Sequence, residues 1–159
     1  MTKSNHSPIK TIIRGACNNQ THIGVWSAII EDDKKYLEVA NRHCQTTHIE
    51  MELVAALSVL RCLEKYSGRS ISIMTTSNYV INGITEWYTE WQAKGWRNAN
   101  NKPVNHKDKW QELKKLSDKL NIKWCKLSKD EETKAQYNLL CISDEALKRG
   151  HAKSIIHKK

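Results

Sequence analysis

Three groups of residues in this sequence carry side chains that could bind a metal ion or transfer a proton. His43, Cys44 and His48 look like half of a zinc site, but a structural zinc ion takes four ligands, and the sequence offers no second half. The acids at 130–132 are adjacent, and no spacing to other residues supports a catalytic site there. Glu52 falls on the apolar stripe of a predicted helix, so we expect its carboxylate to be partly buried. None of the three groups is a complete site by itself.

Positive charge is concentrated in one quarter of the chain. Residues 91–129 contain eleven lysines and arginines and only three acids, and eleven minus three is +8 of the net charge of +9. A field of one sign raises the local concentration of polyanions such as nucleic acids. The alternative is a solvated helix face that is rich in lysine and has no binding role.

Length and composition indicate one globular domain. The 159 residues are 39% hydrophobic and 27% charged, and no window has the apolar length of a membrane span. Residues 1–10 contain no apolar run of the signal-peptide type, and the five cysteines form no Cys-x-x-Cys pair. We therefore expect reduced thiols and an intracellular protein, nuclear or cytoplasmic, without a membrane partner.

The spacing of apolar residues predicts an α/β domain with a five-stranded mixed sheet. Three antiparallel strands come first, parallel crossover strands follow, and helices cover both faces. The predicted elements are strands beginning at Ile9, at 23–30 and at 36–42, a helix at 50–66, a strand at 69–74, a short helix from Thr76 or Ser77 that ends at Asn82-Gly83, a helix from about Thr85, a helix carrying Trp110, a strand at 122–127 and a helix at 137–149.

The chain divides into one domain and two short ends. We expect residues 1–8 to be a flexible N-terminus and residues 9–150 to form the domain. Residues 151–159 form a basic C-terminal tail, typical of a frayed end or a weak localisation signal.

Several strings of residues resemble the ribonuclease H type 1 family. The longest is at 79–87 (YVINGITEW), and it continues at 91–97 (WQAKGWR) and 102–105 (KPVN); together these match the basic protrusion of that family. The segments at 50–53 (EMEL) and 122–124 (IKW) match its second motif and its last strand. The resemblance covers nearly the whole chain and implies a ribonuclease H-like fold.

The resemblance also implies a change in the metal-binding residues. The family cuts the RNA strand of an RNA/DNA hybrid with two divalent ions, Mg²⁺, held by a cluster of carboxylates. The matching positions here are Arg14, Glu52, Thr76 and either Ile142 or Asp144. Arginine is positively charged where the family is negative, so we expect the two-metal site to be lost and no metal cofactor to bind. The family's Gly-His loop is replaced as well, by SKDEE at 128–132.

Two interpretations of Glu52 follow from this change. We hypothesise that Arg14 forms an ion pair with Glu52 and occupies the space of a metal ion, because a partly buried carboxylate otherwise lacks a partner. The alternative is that Glu52 is a structural acid at the start of an ordinary helix.

A nucleic-acid-binding surface is the second implication of the resemblance. Tyr79 and Trp87 match an aromatic pair that lines the family's DNA-strand channel, and phosphate contacts from basic residues would supply affinity. Tryptophans at helical spacing are also typical of a core, which is the alternative for Trp91 and Trp110. The candidate binding residues are Thr47, Tyr79, Trp87, Lys94, Trp96, Arg97, Lys102 and Asn105.

Gln45, His48 and Ile49 depart from the family's polar string before the helix, which puts discrimination of RNA/DNA hybrid from other duplexes in doubt. One interpretation is a catalytically inactive ribonuclease H-like protein that binds nucleic acid, hybrid or other duplex, without cleaving it. A second is a protein-interaction scaffold with a protein partner, which Ile49 and the C-terminal Ile155-Ile156 favour. A third is an active nuclease.

Overall fold

The computed structural model describes residues 8–32, 35–66, 68–127 and 153–158. The predicted helix at 137–149 lies outside the described residues. The strands are β1 (Ile9–Cys17), β2 (Gly24–Glu31), β3 (Lys35–His43), β4 (Ser70–Thr75), β5 (Asn121–Lys126) and β6 (Lys153–Lys158). The helices are α1 (His48–Leu63), a 3₁₀ turn (Glu64–Tyr66), α2 (Asn78–Asn82), a π-helical turn (Gly83–Trp87), α3 (Tyr88–Ala93) and α4 (Lys107–Lys119).

The strands form one mixed sheet in the order β5-β4-β1-β2-β3-β6. Strands β1, β2 and β3 are an antiparallel meander. Strand β4 runs parallel to β1, and β5 runs parallel to β4, so the chain crosses over through helices before each of them. The predicted α/β fold with a mixed sheet is confirmed.

The sheet has one strand more than predicted. Residues 153–158 pair antiparallel with β3, from Lys35 opposite Lys158 to Ala40 opposite Lys153. The prediction of a frayed end is therefore wrong for the backbone of this segment. Without β6, β3 would be an edge strand with a row of unpaired N–H and C=O groups, and the β-branched residues of the tail favour pairing there.

The main core lies between the sheet and α1. Ile9 and Ile13 of β1 are buried on the α1 face, and half of the residues of α1 are buried against them. At Gly15 the two backbones come so close that a Cβ atom would lie within 3.0 Å of the backbone of Met51 and Glu52. Glycine at this position thus brings the start of α1, with Glu52, directly against the middle of the sheet.

The predicted helix break at Asn82-Gly83 is wrong. The chain continues from α2 through a π-helical turn into α3 without leaving the helical region, and Gly83 has a φ of −60°. A Cβ atom on Gly83 would lie within 3.0 Å of three ring atoms of Trp110. Glycine is present here because the fully buried indole of Trp110 leaves no space for a side chain, and not because the helix ends.

Replacing Gly15 with alanine is expected to destabilise the fold by about 1–3 kcal/mol or more, because the new methyl group meets rigid backbone and α1 must shift. Gly68→Ala is the comparison: Gly68 has a φ of +92° and open space around it, so its cost is backbone strain of about 1–2 kcal/mol. Urea denaturation of both variants measures the two costs. A Gly15→Ala protein that is no less stable than Gly68→Ala would contradict the close approach.

Candidate functional site

Glu52 lies in the second turn of α1, and both of its carboxylate oxygens have partners. Thr47 is the N-cap of α1 and accepts a hydrogen bond from the backbone N–H of Glu50 at 3.1 Å, so the helix begins at His48. The Ser77 hydroxyl donates to Glu52 Oε2 at 2.5 Å, and His48 Nε2 lies 2.8 Å from Glu52 Oε1. The Glu52 side chain is 15% exposed, and these two partners satisfy it.

The hypothesised ion pair between Arg14 and Glu52 is wrong. Gly15 faces the start of α1, and neighbouring residues of a strand point to opposite faces. Arg14 therefore projects from the other face of the sheet, away from Glu52. His48, which the sequence presented as a departure from the family, takes the place at the carboxylate that was predicted for Arg14.

Ser77, and not Thr76, is the hydroxyl residue that contacts the site. Thr76 lies one residue past the end of β4. The next residue, Ser77, is the N-cap of α2: its Oγ accepts from the backbone N–H of Val80 at 3.2 Å while its hydroxyl donates to Glu52. Ser77 thus connects α2 to α1, and its own backbone N–H donates to Thr75 Oγ1 at 3.0 Å.

Among the described residues at the family's metal positions, Glu52 alone carries a carboxylate. A pair of Mg²⁺ ions needs several oxygen ligands, and Arg14 and Thr76 lie at the other described positions. Among residues 8–32, 35–66, 68–127 and 153–158, no group of three or more His, Cys, Asp or Glu side chains is placed to hold a metal ion. Ile142 and Asp144 both lie outside the described residues.

Six aromatic rings form a continuous group beside Glu52. Trp110 is the fully buried member of the group, so its predicted core role is confirmed. Tyr79 packs against Trp110 with ring centroids 5.3 Å apart and against Trp87 at 5.9 Å, both edge to face. Trp91 lies 5.3 Å from Trp110 and 5.9 Å from Trp87. The structure therefore brings the predicted pair, Tyr79 and Trp87, together, and Trp87 is connected to the buried indole of Trp110 through Tyr79 and Trp91.

Tyr79 connects this aromatic group electrostatically to Glu52. Burial raises the pKa of the Tyr79 phenol above its ordinary value, and the nearby Glu52 carboxylate raises it further, because both disfavour the phenolate. Tyr79 is therefore a neutral hydroxyl at physiological pH, and it lies between the carboxylate and the half-buried Trp87.

The basic loop between α3 and α4 folds back onto the same aromatic group. Trp96 has a left-handed backbone with φ +63°, its N–H donates to Trp91 O, and it accepts from the N–H of Val104 at 2.9 Å. The Trp96 ring packs on Tyr88 at 5.0 Å and on Trp91 at 6.0 Å. These contacts fix the loop, and the exposed candidate residues on it are Lys94, Arg97, Lys102 and Asn105.

His106 is a residue that the sequence prediction missed. The loop residue that reaches the first turn of α1 is His106, whose Nδ1 lies 3.5 Å from Glu50 Oε2. Glu50 Oε1 accepts from the Thr46 hydroxyl at 2.6 Å. His106 is the N-cap of α4 with a left-handed φ of +62°. Because that backbone conformation is set by the fold of the loop, no pattern in the sequence indicated it.

The described helices include none that is long and apolar enough to cross a membrane.

The contacts of Glu52 predict that removing Ser77 and removing His48 lower the free energy of unfolding by different amounts. Ser77→Ala removes a helix cap and leaves a partly buried carboxylate oxygen without its donor, so we expect a loss of about 1–3 kcal/mol in the free energy of unfolding. His48→Ala removes a pair that is half exposed at the histidine, and we expect less than about 1 kcal/mol. Urea denaturation measures both values.

Thr76→Ala is the matched control, because it deletes the adjacent hydroxyl, for which the described residues show no hydrogen bond. It should lower the free energy of unfolding less than Ser77→Ala does. Equal costs at 76 and 77 would show that the Ser77–Glu52 contact does not stabilise the fold.

Comparisons with known proteins identify the family. The RNase H family model matches residues 11–141. Ribonuclease H of Francisella tularensis subsp. novicida is 41% identical over 110 residues, which are 69% of this chain and 71% of that protein. The fold is similar to that of the foamy viral protease-reverse transcriptase in complex with dsDNA, with a TM-score of 0.73, 14% identity and coverage of 92% of this chain and 97% of that one.

LC9-RNase H1, a type 1 RNase H with the type 2 active-site motif, has a TM-score of 0.69 at 15% identity, over 96% of this chain and 80% of that one. At these identities the structural neighbours show the fold alone. The family model spans most of the chain and the curated relative is similar over two thirds of it, so this chain belongs to the RNase H family.

Proposed function

We propose that this chain binds nucleic acid duplexes, RNA/DNA hybrid among them, and does not cleave them. The binding surface consists of the basic loop that carries Lys94, Arg97 and Lys102, together with the aromatic pair Tyr79 and Trp87. Cations on an exposed loop supply salt-dependent affinity for phosphates. Aromatic faces beside them pack on sugars and bases.

Relatives support the choice of ligand. The curated relatives carry the name Ribonuclease H, and solved structures of a foamy viral protease-reverse transcriptase of similar fold contain dsDNA in one case and RNA/DNA hybrid in another. The net positive charge of the segment at 91–129 is in accord with a polyanionic ligand.

The observation that carries the non-cleaving part of the proposal is the state of Glu52. Both oxygens of this carboxylate are engaged, by the Ser77 hydroxyl and by His48. A metal ion at Glu52 would have to displace them, with Arg14 and Thr76 offering no carboxylate in return. Two-ion hydrolysis depends on a water activated by metal and on stabilisation of the leaving oxygen, and these residues support neither.

A second candidate function is protein docking through the start of α1. Among the described residues, Ile49 is the exposed large hydrophobic residue, and 45% of its surface is accessible. It lies next to His48, so a partner covering Ile49 would also cover the edge of the Glu52 site. An isolated exposed isoleucine is common on protein surfaces, and for this reason we rank docking below nucleic-acid binding.

Binding is tested by fluorescence anisotropy with labelled RNA/DNA hybrid, duplex DNA and duplex RNA in Mg²⁺ at several salt concentrations. We expect micromolar or tighter dissociation constants that weaken steeply with salt. Lys94→Ala and Lys102→Ala should each weaken binding and reduce the salt slope by about one unit.

Lys119→Ala is the control, because it makes the same change of charge at the last residue of α4, about 18 Å along the helix from its first residue. Absence of binding at low salt, or an equal loss in Lys119→Ala, would contradict a binding role for the basic loop. Binding of a protein at Ile49 would then become the better account.

A further inference from the structure

The pair formed by Glu50 and His106 joins two parts of the candidate nucleic-acid surface. Glu50 lies in the first turn of α1, whose N-cap is the candidate binding residue Thr47. His106 directly follows the candidate binding residue Asn105 at the end of the basic loop. His106 Nδ1 lies 3.5 Å from Glu50 Oε2, so the end of the loop and the start of the helix meet at this pair.

The Glu50 carboxylate is also held by the segment that leads into α1. Glu50 Oε1 accepts a hydrogen bond from the Thr46 hydroxyl at 2.6 Å. Thr46 is buried, and its backbone N–H donates to His22 O at 2.9 Å. The backbone N–H of Glu50 donates to Thr47 Oγ1 at 3.1 Å. Because these bonds fix the start of α1, Glu50 presents Oε2 to the loop from a defined position.

The backbone of His106 leaves its imidazole ring available for this contact. His106 is the N-cap of α4 with a φ of +62°, and its carbonyl accepts from the backbone N–H of Trp110 at 3.0 Å. An N-cap side chain usually bonds to an N–H group of the first turn, but within α4 the His106 side chain makes no such bond. The ring lies against Glu50 instead, and both side chains are about three-quarters buried.

The other end of the basic loop is attached to a different element. The N–H of Trp96 donates to Trp91 O, and the N–H of Val104 donates to Trp96 O at 2.9 Å. These bonds connect the loop to α3 and close it on itself, whereas the pair of Glu50 and His106 connects it to α1. The pair therefore determines how the end of the loop lies relative to the start of α1.

We infer that Glu50 and His106 are positioning residues for nucleic-acid binding. They hold the end of the basic loop against α1, so that Asn105 and Thr47 contact one bound duplex together. This inference rests on the proposed function, because it assigns both residues to the same surface. Groups that are held in place before binding do not have to be ordered on association, so the pair raises affinity without touching the duplex itself.

Substitutions of His106 separate its contact from its backbone conformation. Asparagine tolerates a positive φ and carries its side-chain nitrogen as many bonds from the backbone as His106 Nδ1. Glycine also tolerates this backbone but has no side-chain donor. We expect His106→Gly to weaken hybrid binding about threefold, as suits a partly exposed pair, and His106→Asn to retain most of the affinity. Fluorescence anisotropy with the labelled hybrid measures both.

A double-mutant cycle isolates the contribution of the pair. Glu50→Ala removes a negative charge beside a polyanion, and this direct effect is the same in both backgrounds and cancels in the cycle. We expect Glu50→Ala and His106→Gly to be non-additive, with a coupling of about threefold in hybrid affinity. Glu112→Ala is the matched control, since Glu112 pairs with Arg61 between α1 and α4. Its effect should be additive with that of His106→Gly.

Hydrogen exchange in the protein without nucleic acid tests the positioning directly. The backbone N–H groups of Val104 and Trp110 bond within the loop and at the start of α4. We expect both to exchange faster in Glu50→Ala than in the unmodified protein, and at the unmodified rate in Glu112→Ala. Thermal unfolding of each variant shows whether it is folded.

The outcomes distinguish failure of this inference from failure of the proposed function. If the unmodified protein does not bind the hybrid, the proposed function fails, and the exchange rates decide whether the pair fixes the loop. If the hybrid binds, but a folded His106→Gly protein keeps full affinity or the cycle shows no coupling, the positioning role is overturned. A His106→Asn protein as weak as His106→Gly would overturn it too, because the ring itself would then contact the duplex.

Discussion

The close approach of α1 to β1 at Gly15 is the constraint on which the rest of the site depends. Because no side chain separates the two backbones, the first turns of α1 lie against the middle of the sheet and Glu52 is brought beside the end of β4. The same contact determines the face of the sheet from which each side chain of β1 projects. Ile13 and Gly15 face α1, Arg14 is left on the opposite face, and Glu52 pairs with His48 and Ser77 instead.

Glu52 then finds its partners locally. His48 is four residues earlier on the same helix, and Ser77 caps the helix that follows β4, so both are placed by elements that the fold requires anyway. Among the described residues, these two groups stabilise the carboxylate. Beside it, the buried indole of Trp110 holds Tyr79 and Trp91, and Trp91 in turn holds the loop through Trp96. The aromatic group, the basic loop and Glu52 are thus parts of one packed unit.

Much of the fold was predictable from sequence, because the apolar periodicity of β1, α1 and α4 reflects burial that these elements have in the structure. The errors came from contacts between distant residues. Asn82-Gly83 has the composition of a helix end, but Gly83 is required by Trp110. Arg14 and Glu52 have complementary charges, but the pleat of β1 separates them. His106 reaches Glu50 only through a left-handed backbone, and the C-terminal strand depends on the free edge of β3.

A cleavage assay under single-turnover conditions tests the central claim most directly. The protein, in molar excess over a hybrid with labelled RNA, is incubated with Mg²⁺ or Mn²⁺, and Glu52→Gln protein purified in parallel reports any contaminating nuclease. We predict that the RNA stays bound and intact with both ions, and that the two proteins behave alike. Cleavage that requires the ion and is lost in Glu52→Gln would contradict the account and show that this RNase H family member retains catalysis.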